Sequence, residues 1–257
     1  MRILISNDDG IQSPGLRALV EALRDYGELW VIAPDREQSA VGHAITLSEP
    51  IRLFPWTMEG VDHVYAISGT PADCVKLAIT ELMPEKPDMV LSGVNRGENT
   101  GISVIYSGTV SAATEGTIND IPSVAVSLGS FTSTRFEPAA EVARRVVDLV
   151  IARGLPADTL LNVNVPDLPL ERLKGFRATR QGRARFQETF IKRADPRGKI
   201  YYWMDGAKVP LQETETDSAA LHEGYVTITP IRLDFTHHEF LPELRRWPLE
   251  LHAEAKA

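Results

Sequence analysis

The sequence predicts an α/β fold with a doubly wound, mainly parallel sheet, followed by a β-hairpin and a helical tail. Two observations carry this prediction. Short apolar strands alternate with amphipathic helices over roughly the first 175 residues, which is the pattern of a parallel sheet covered by helices on both faces. Beyond that point the chain changes to β-rich stretches around a strong turn signal, and then to an apolar tail.

The helices of the first half begin at recognisable caps. Ser13 and Thr70 each precede a proline, and a hydroxyl N-cap followed by proline at the first helical position is a common helix start. The first helix places apolar residues at i, i+3, i+4 and i+7 from Leu16, and Gly27 ends it. The predicted helices cover about 14–26, 71–83, 108–119 and 138–153, and the predicted strands cover 2–6, 29–33, 89–92, 123–128 and 160–165. This order predicts a Rossmann-like domain over residues 1–175.

Residues 176–257 form a second predicted unit, an extension to that domain. Two β-rich stretches, 186–192 and 199–203, flank the turn signal Asp195-Pro196-Arg197-Gly198 and predict a long hairpin. One further strand is expected over 225–231. The tail over 239–252 is expected to be partly helical, and its apolar residues are Leu241, Leu244, Trp247 and Leu251. Two interpretations stay open: the hairpin and tail contact a partner subunit, or they fold back on their own domain.

The composition limits the partners of this protein. A net charge of −8 and a pI of about 5.3 disfavour general binding to nucleic acid polymers, because such binding depends on Lys and Arg neutralising phosphates. No apolar run approaches the roughly 20 residues that span a bilayer, and the first residues do not resemble a signal peptide. The single cysteine, Cys74, allows no intrachain disulfide. We therefore expect a cytoplasmic protein without a membrane partner.

Two adjacent carboxylates, Asp8 and Asp9, come just after the first predicted strand. Ligands of open α/β sheets bind beyond the carboxyl ends of the strands, so this position is a candidate site. Adjacent carboxylates repel each other unless a cation neutralises them, and Gly10 lets the backbone turn so that both can face one point. A plain polar turn explains the same residues equally well when they are taken alone.

Two further loops at the same edge of the sheet supply neutral oxygens. Ser39 follows the second strand, and Asn95 follows the strand that ends at Ser92. Together with two carboxylates and water, these oxygens form a shell that suits a hard cation such as Mg²⁺ or Mn²⁺ rather than zinc. His43 is a possible ligand, although a loop histidine is more often a surface residue or a substrate contact, and Cys74 is expected in the core.

A fourth segment, Ser107-Gly108-Thr109, leads directly into a predicted helix. Free backbone N–H groups and a partial positive charge at a helix start can bind phosphate. An ordinary helix cap explains the segment as well, and the lysine of a Walker loop is missing.

Taken together, these segments resemble the SurE family of stationary-phase survival proteins, which are 5′-nucleotidases. The resemblance covers nearly the whole chain and rests on several motifs in the family's order. They are Asp8-Asp9-Gly10, Ser39, Ser92-Gly93-Val94-Asn95, Tyr106-Ser107-Gly108-Thr109-Val110-Ser111-Ala112, Asp195-Pro196-Arg197-Gly198 with Tyr201-Tyr202-Trp203, and Thr216-Asp217 with the run from Gly224 to Pro230.

The resemblance implies one divalent metal ion per subunit, Mg²⁺ or Mn²⁺, held by Asp8, Asp9, Ser39 and Asn95. It also implies hydrolysis of nucleoside 5′-monophosphates, with possible activity on 3′-nucleotides and short polyphosphate. A homodimer or homotetramer is implied, in which the hairpin and the C-terminal segment reach a neighbouring subunit.

A mechanism follows as a hypothesis. Asp8 or Asp9 would accept the proton of the attacking water. Asn95 and the helix start at Ser107, Gly108 and Thr109 would hold the phosphoryl oxygens as charge develops, and we expect Asn7 to join them in binding the substrate.

Two alternatives stay open. An aspartyl-phosphate phosphatase usually carries two acids one residue apart, whereas these are adjacent. A sensor that only binds nucleotide or phosphate has little need for two carboxylates directed at a cation and water.

Overall fold

The computed structural model describes residues 1–209 and 213–249. The strands are β1 (Arg2–Ser6), β2 (Glu28–Pro34), β3 (Leu53–Pro55), β4 (His63–Ile67), β5 (Met89–Arg96), β6 (Ser123–Leu128), β7 (Thr159–Val165), β8 (Phe176–Ala178), β9 (Arg185–Ala194), β10 (Ile200–Val209) and β11 (Val226–Arg232). The helices are α1 (Pro14–Ala22), α2 (Pro71–Leu77), α3 (Ser103–Tyr106), α4 (Gly108–Ile118), α5 (Glu137–Arg153), α6 (Asp217–His222) and α7 (Leu241–Leu244).

A nine-stranded sheet forms the centre of the described chain, in the order β3-β4-β2-β1-β5-β6-β7-β11-β8. The strands from β4 to β7 in that order are all parallel. β3 is antiparallel to β4, and β11 is antiparallel to β7. The predicted α/β fold with a mainly parallel sheet is therefore confirmed.

Two layers of helices cover the two faces of this sheet. Alternate residues of β1 point to opposite faces, as expected for a strand: Ile3 and Ile5 belong to the core cluster that includes α1 and α5, whereas Leu4 belongs to the cluster that includes α2. Because both faces are buried, the central strands are apolar almost throughout rather than alternating in polarity. The sheet is thus doubly wound, as the sequence predicts.

The predicted helix caps are present. Ser13 caps α1, and Thr70 caps α2 in a capping box with Asp73. Ser107 caps α4, its Oγ accepting from the N–H of Val110 at 3.1 Å. These caps satisfy backbone N–H groups that lack partners inside the helix, which fixes where each helix begins.

The C-terminal part of the chain is divided between the main sheet and a separate hairpin. Within residues 1–209 and 213–249, β9 and β10 pair only with each other, from Ile200 with Ala194 to Val209 with Arg185, so the hairpin is longer than predicted. β8 and β11 instead join the main sheet, which therefore continues past residue 175. The division into units at that residue stays a prediction. In the predicted tail the helical segment is α7, and Leu251 and His252 lie outside the described residues.

Some elements are present in addition to those that the sequence predicts. β3 and β4 lie between the second predicted strand and the second helix, and α6 precedes β11. Within residues 1–209 and 213–249, the helices are all too short or too polar to cross a membrane.

Candidate active site

Asp8 and Asp9 lie in a tight turn directly after β1. The N–H of Ile11 donates to the carbonyl of Pro34 at 2.8 Å, which joins this turn to the end of β2. Gly10 has φ +92°, and a Cβ there would lie 3.1 Å from the carbonyl carbon of Arg36. A side chain would therefore strain the backbone and crowd the neighbouring loop, so glycine is required for the turn.

The two carboxyl groups differ in exposure, and both have raised pKa values. Asp8 is 4% exposed, and its burial raises its pKa, although a hydrogen bond from the Thr109 hydroxyl opposes the shift. Burial and the neighbouring charge of Asp8 raise the pKa of Asp9 to about 7. The backbone N–H of Arg96 donates to Asp9 Oδ2 at 3.0 Å, and this hydrogen bond opposes the increase. The folded chain thus presses together two acids whose charges are incompletely balanced.

The start of α4 lies against Asp8. The Thr109 hydroxyl donates to Asp8 Oδ1, and a Cβ added to Gly108 would lie 2.7 Å from the Cβ of Asp8. The N-terminus of this helix, with its partial positive charge, is therefore next to the aspartate pair. Ser107 is buried, and its hydroxyl serves as the cap of α4.

Asn95 lies near the end of β5, next to Arg96, whose backbone N–H donates to Asp9. The register of β5 with β6 shifts between Ser92 and Asn95, and the peptide bond between Gly93 and Val94 is cis. A Cβ at Gly93 would lie 2.4 Å from the carbonyl oxygen of Val126. Asn95 is 8% exposed, and its Nδ2 donates to the carbonyl of Gly97 at 2.7 Å, so its amide orientation is fixed.

A cleft of about 500 Å³, called here the aspartate cleft, opens beside Asp9. Its lining residues are Asp9, Ser13, Pro14, Glu37, Ser39, Arg96 and Phe131. Ser39 donates to Glu37 Oε1 at 2.5 Å, and the N–H of Gln38 donates to the carbonyl of Asp8 at 2.8 Å. The loop after β2 is therefore tied to the aspartate turn, and Ser39 and Asp9 share one cleft.

Two predicted site residues have mainly structural contacts. Asn7 is fully buried, and its Nδ2 donates to the carbonyl of Gly10 at 3.0 Å. Thr109 directs its hydroxyl at Asp8. Their roles in substrate binding stay predictions.

His43 is paired with a carboxylate of its own. Its Nε2 lies 3.0 Å from Glu115 Oε2, and Lys76 Nζ donates to Glu115 Oε1 at 2.6 Å. The buried position expected for Cys74 is confirmed.

The sequence predicts no role for three residues that line the aspartate cleft, which are Glu37, Arg96 and Phe131. Glu37 lies two positions before Ser39, and Arg96 follows Asn95. Their closeness in sequence to predicted site residues is a signal that could identify both. Phe131 has no such signal, because it is a single aromatic residue in the loop after β6.

The site combines the carboxylates of Asp8 and Asp9 with Glu37 and the hydroxyl of Ser39 on the wall of the same cleft. Among the described residues, no three or more His, Cys, Asp or Glu side chains group together as possible metal ligands. The side-chain oxygens that line the aspartate cleft belong to carboxylates and hydroxyls, which are ligands that hard cations prefer.

Comparison with known proteins assigns the chain and its fold to one family. The family model described as "Survival protein SurE" matches residues 3–188. Proteins named 5′-nucleotidase SurE include one from Syntrophobacter fumaroxidans, 48% identical over 250 residues, which covers 97% of this chain and 100% of that protein. Another, from Moorella thermoacetica, is 49% identical over 246 residues and covers 95% of each. The crystal structure of the SurE protein from Aquifex aeolicus has a TM-score of 0.83 at 42% identity and covers 95% of this chain and 98% of that one. The chain therefore belongs to the SurE family.

Proposed function

We propose that this protein is a 5′-nucleotidase, which hydrolyses nucleoside 5′-monophosphates to nucleoside and phosphate. The Asp8–Asp9 pair at the carboxyl end of β1 is the observation that carries the proposal: Asp8 is buried beside the start of α4, and Asp9 shares a cleft with Ser39. The relatives named 5′-nucleotidase SurE support the substrate class, because they match nearly the full chain at close to half identity.

We further propose that one divalent cation, Mg²⁺ or Mn²⁺, binds per subunit at Asp8, Asp9, Ser39 and Asn95. The donor chemistry fits, because burial raises the pKa of both aspartates, nearby carboxylates add to each shift, and a cation would relieve this repulsion. When bound, a divalent cation supplies positive charge that polarises a phosphate oxygen and acidifies water.

The residues of the chain would then divide the work. Asp8 or Asp9 accepts the proton of the attacking water, and Thr109 keeps the Asp8 carboxylate in place through its hydrogen bond. Asn95 and the backbone N–H groups at the start of α4, from Gly108, hold the phosphoryl oxygens as negative charge develops on them. Asn7 and Ser107 shape the binding site around them.

Substitution of each aspartate tests the proposal. We expect Asp8→Asn and Asp9→Asn each to lower kcat on AMP and GMP by about 10²–10⁴-fold. Each substitution removes a carboxylate that holds a cation or accepts a proton. The thermal midpoint should stay unchanged or rise, because one buried charge is removed. Phosphate release is the measurement, and Asp25→Asn, at an exposed position, is the control.

Near-wild-type turnover by both variants at saturating Mg²⁺ or Mn²⁺ would contradict this function. A phosphorylated Asp8 trapped during turnover would favour the aspartyl-phosphate alternative, and metal-independent binding without phosphate release by the wild-type chain would favour the sensor. Extending the assay to 3′-nucleotides and short polyphosphate defines the substrate range.

We also propose that the protein acts in the cytoplasm as a homodimer or homotetramer, and that the β9–β10 hairpin contacts a neighbouring subunit. The hairpin supports this because both of its faces carry exposed apolar side chains. Ile191 and Trp203 are opposite each other on one face, and Phe190 and Met204 on the other.

A further inference from the structure

A second cleft lies beside the aspartate cleft at the carboxyl edge of the sheet. Its volume is about 320 Å³, and its walls include Glu98, Gly129, Pro166, Asp167 and His222. These residues follow β5, β6 and β7 or come from the end of α6, so the second cleft continues along the same edge of the sheet. The two clefts are therefore neighbours at this edge, and together they are called the groove here.

Phe131 is the residue that the two clefts share. Its side chain is 61% exposed, although an aromatic side chain of this size usually contributes most when it is buried. The ring lies on the backbone of Gly97, where an added Cβ would come 2.3 Å from a ring carbon. One face of the ring is thus supported by the backbone after β5, and the residue remains largely open to the groove.

The loop that carries Phe131 is held in place. The Ser133 hydroxyl donates to Asp167 Oδ1 at 2.9 Å, and Arg135 Nη2 donates to the same oxygen at 3.2 Å. At the other end of the loop, the N–H of Ser130 donates to the carbonyl of Leu128 at 2.7 Å. A platform that is fixed before binding loses little conformational freedom when a ligand stacks on it.

We propose that Phe131 is the stacking platform for the nucleobase of the substrate, with the phosphate in the aspartate cleft and the base in the second cleft. This inference rests on the proposed nucleotidase function. A nucleotide has an anionic end and a flat aromatic end, and the groove offers a candidate phosphate site and an exposed ring in that order. Stacking tolerates any base because every base has an aromatic face, and the larger purines gain more from it. The expected substrates are therefore nucleotides of several bases, with purines preferred.

The test compares substrates with and without a base. We expect Phe131→Ala to raise KM for AMP and GMP about tenfold, by the usual strength of base stacking, with little change in kcat. KM for ribose 5-phosphate, which has no base, should be unchanged. Phe131→Trp keeps an aromatic ring at this position, so its KM for AMP should be close to the wild-type value. Phe235→Ala, which removes a phenylalanine that is 91% exposed elsewhere on the chain, is the matched control.

A binding measurement separates this inference from the proposed function. In Phe131→Trp, AMP should quench tryptophan fluorescence beyond the change in the wild-type chain, whereas ribose 5-phosphate and inorganic phosphate should not. If KM rises equally for AMP and ribose 5-phosphate, or if AMP causes no added quenching, the stacking role is wrong. If the wild-type chain hydrolyses none of these esters, the nucleotidase proposal fails, and the quenching still decides whether Phe131 contacts a base.

Discussion

At the scale of single residues, the site depends on how closely α4 approaches Asp8. Thr109 donates to the carboxylate, and Gly108 leaves no room for a side chain between the helix and the Cβ of Asp8. We therefore propose that the absence of a side chain at Gly108 is part of the site, because it would allow backbone N–H groups to come within reach of a ligand beside the aspartates.

Gly108→Ala should displace Asp8 and lower kcat on AMP by about 10²-fold, because a shift of about 1 Å in a catalytic group has effects of this size. Gly116→Ala in the same helix is the matched control, since its Cβ would crowd Ser123 and Val90 rather than the aspartates. We expect the control to lower the thermal midpoint with much less effect on kcat. Steady-state kinetics and thermal unfolding of both variants measure the difference, and equal losses of kcat would contradict the role of Gly108.

The sequence could indicate the charged part of this site but not its full lining. Asp8 and Asp9 follow β1, Asn95 lies at the end of β5, and the carboxyl ends of parallel strands meet at one edge of a sheet. Phe131 could not be found in this way, because its place on the groove depends on the ring resting against Gly97, 34 positions earlier in the chain. Contacts of that kind come from packing, which local patterns do not encode.

At the scale of secondary structure elements, the hairpin stands apart from the rest of the fold. Its strands pair with each other and not with the main sheet, so its apolar side chains remain exposed in the described chain. Phe190 is 68% exposed and Met204 is 64% exposed, and they occupy opposite positions on neighbouring strands. Exposed apolar patches of this kind usually mark contact surfaces.

Replacing that pair tests the contact. We expect the double variant Phe190→Ser and Met204→Ser to shift the protein toward the 28.4 kDa monomer in sedimentation velocity, because the apolar contact with a neighbouring subunit is lost. Leu149→Ser, at a half-exposed position of α5, controls for the loss of an exposed apolar side chain. An unchanged distribution of masses in the double variant, or a monomeric wild-type protein, would exclude this role for the hairpin.

Helices and long strands were easier to predict than short ones. α1, α2 and α4 each have a hydroxyl cap, so their starts could be located from the sequence. β3 and β8 have only three residues each, too few for a period to be visible, and their pairing depends on the neighbouring strand.

At the scale of the whole molecule, Glu115 connects segments that are far apart in sequence. Its side chain is 1% exposed on α4, and it contacts Lys76 on α2 and His43 in the loop that also carries Ser39. Burial alone would raise its pKa, but the hydrogen bonds from His43 and Lys76 more than compensate, so the pKa lies below its ordinary value. The ionised form of Glu115 therefore stabilises the folded state.

A lowered carboxyl pKa contributes stability that is present above the ordinary pKa of 4.5 and lost as the pH falls through the folded-state value. Glu115→Gln should reduce the free energy of unfolding at pH 7 by about 1–3 kcal/mol, the usual range for hydrogen bonds to a charged group. Lys76 is half exposed, so solvent screens part of its contribution.

The difference between variant and wild type should shrink as the pH is lowered toward and below the carboxylate range, in denaturant unfolding followed by circular dichroism. Glu81→Gln removes the same charge at an exposed position and should have little effect. A difference that is independent of pH would show that the ionisation of Glu115 does not stabilise the fold.

The parallel sheet itself could be predicted, because alternation of strands and helices has few other solutions. The positions of β8 and β11 in the sheet could not be predicted. Nothing in the local sequence of a strand specifies whether it extends an existing sheet or begins another unit. β11 pairs with β7 in antiparallel orientation, a register set by tertiary contacts.

The position of β1 between β2 and β5 has a consequence for how the protein is made. Ile3 pairs with Met89, so β1 leaves the ribosome 86 residues before its pairing partner in β5. The hydrogen-bond partner of Asp8 is synthesised later still, since Thr109 follows Asp8 by 101 positions. Any shortened product that ends before α4 carries both aspartates without their surroundings. Nascent chains of that length also present an open strand edge, which is when the growing polypeptide most needs protection from aggregation.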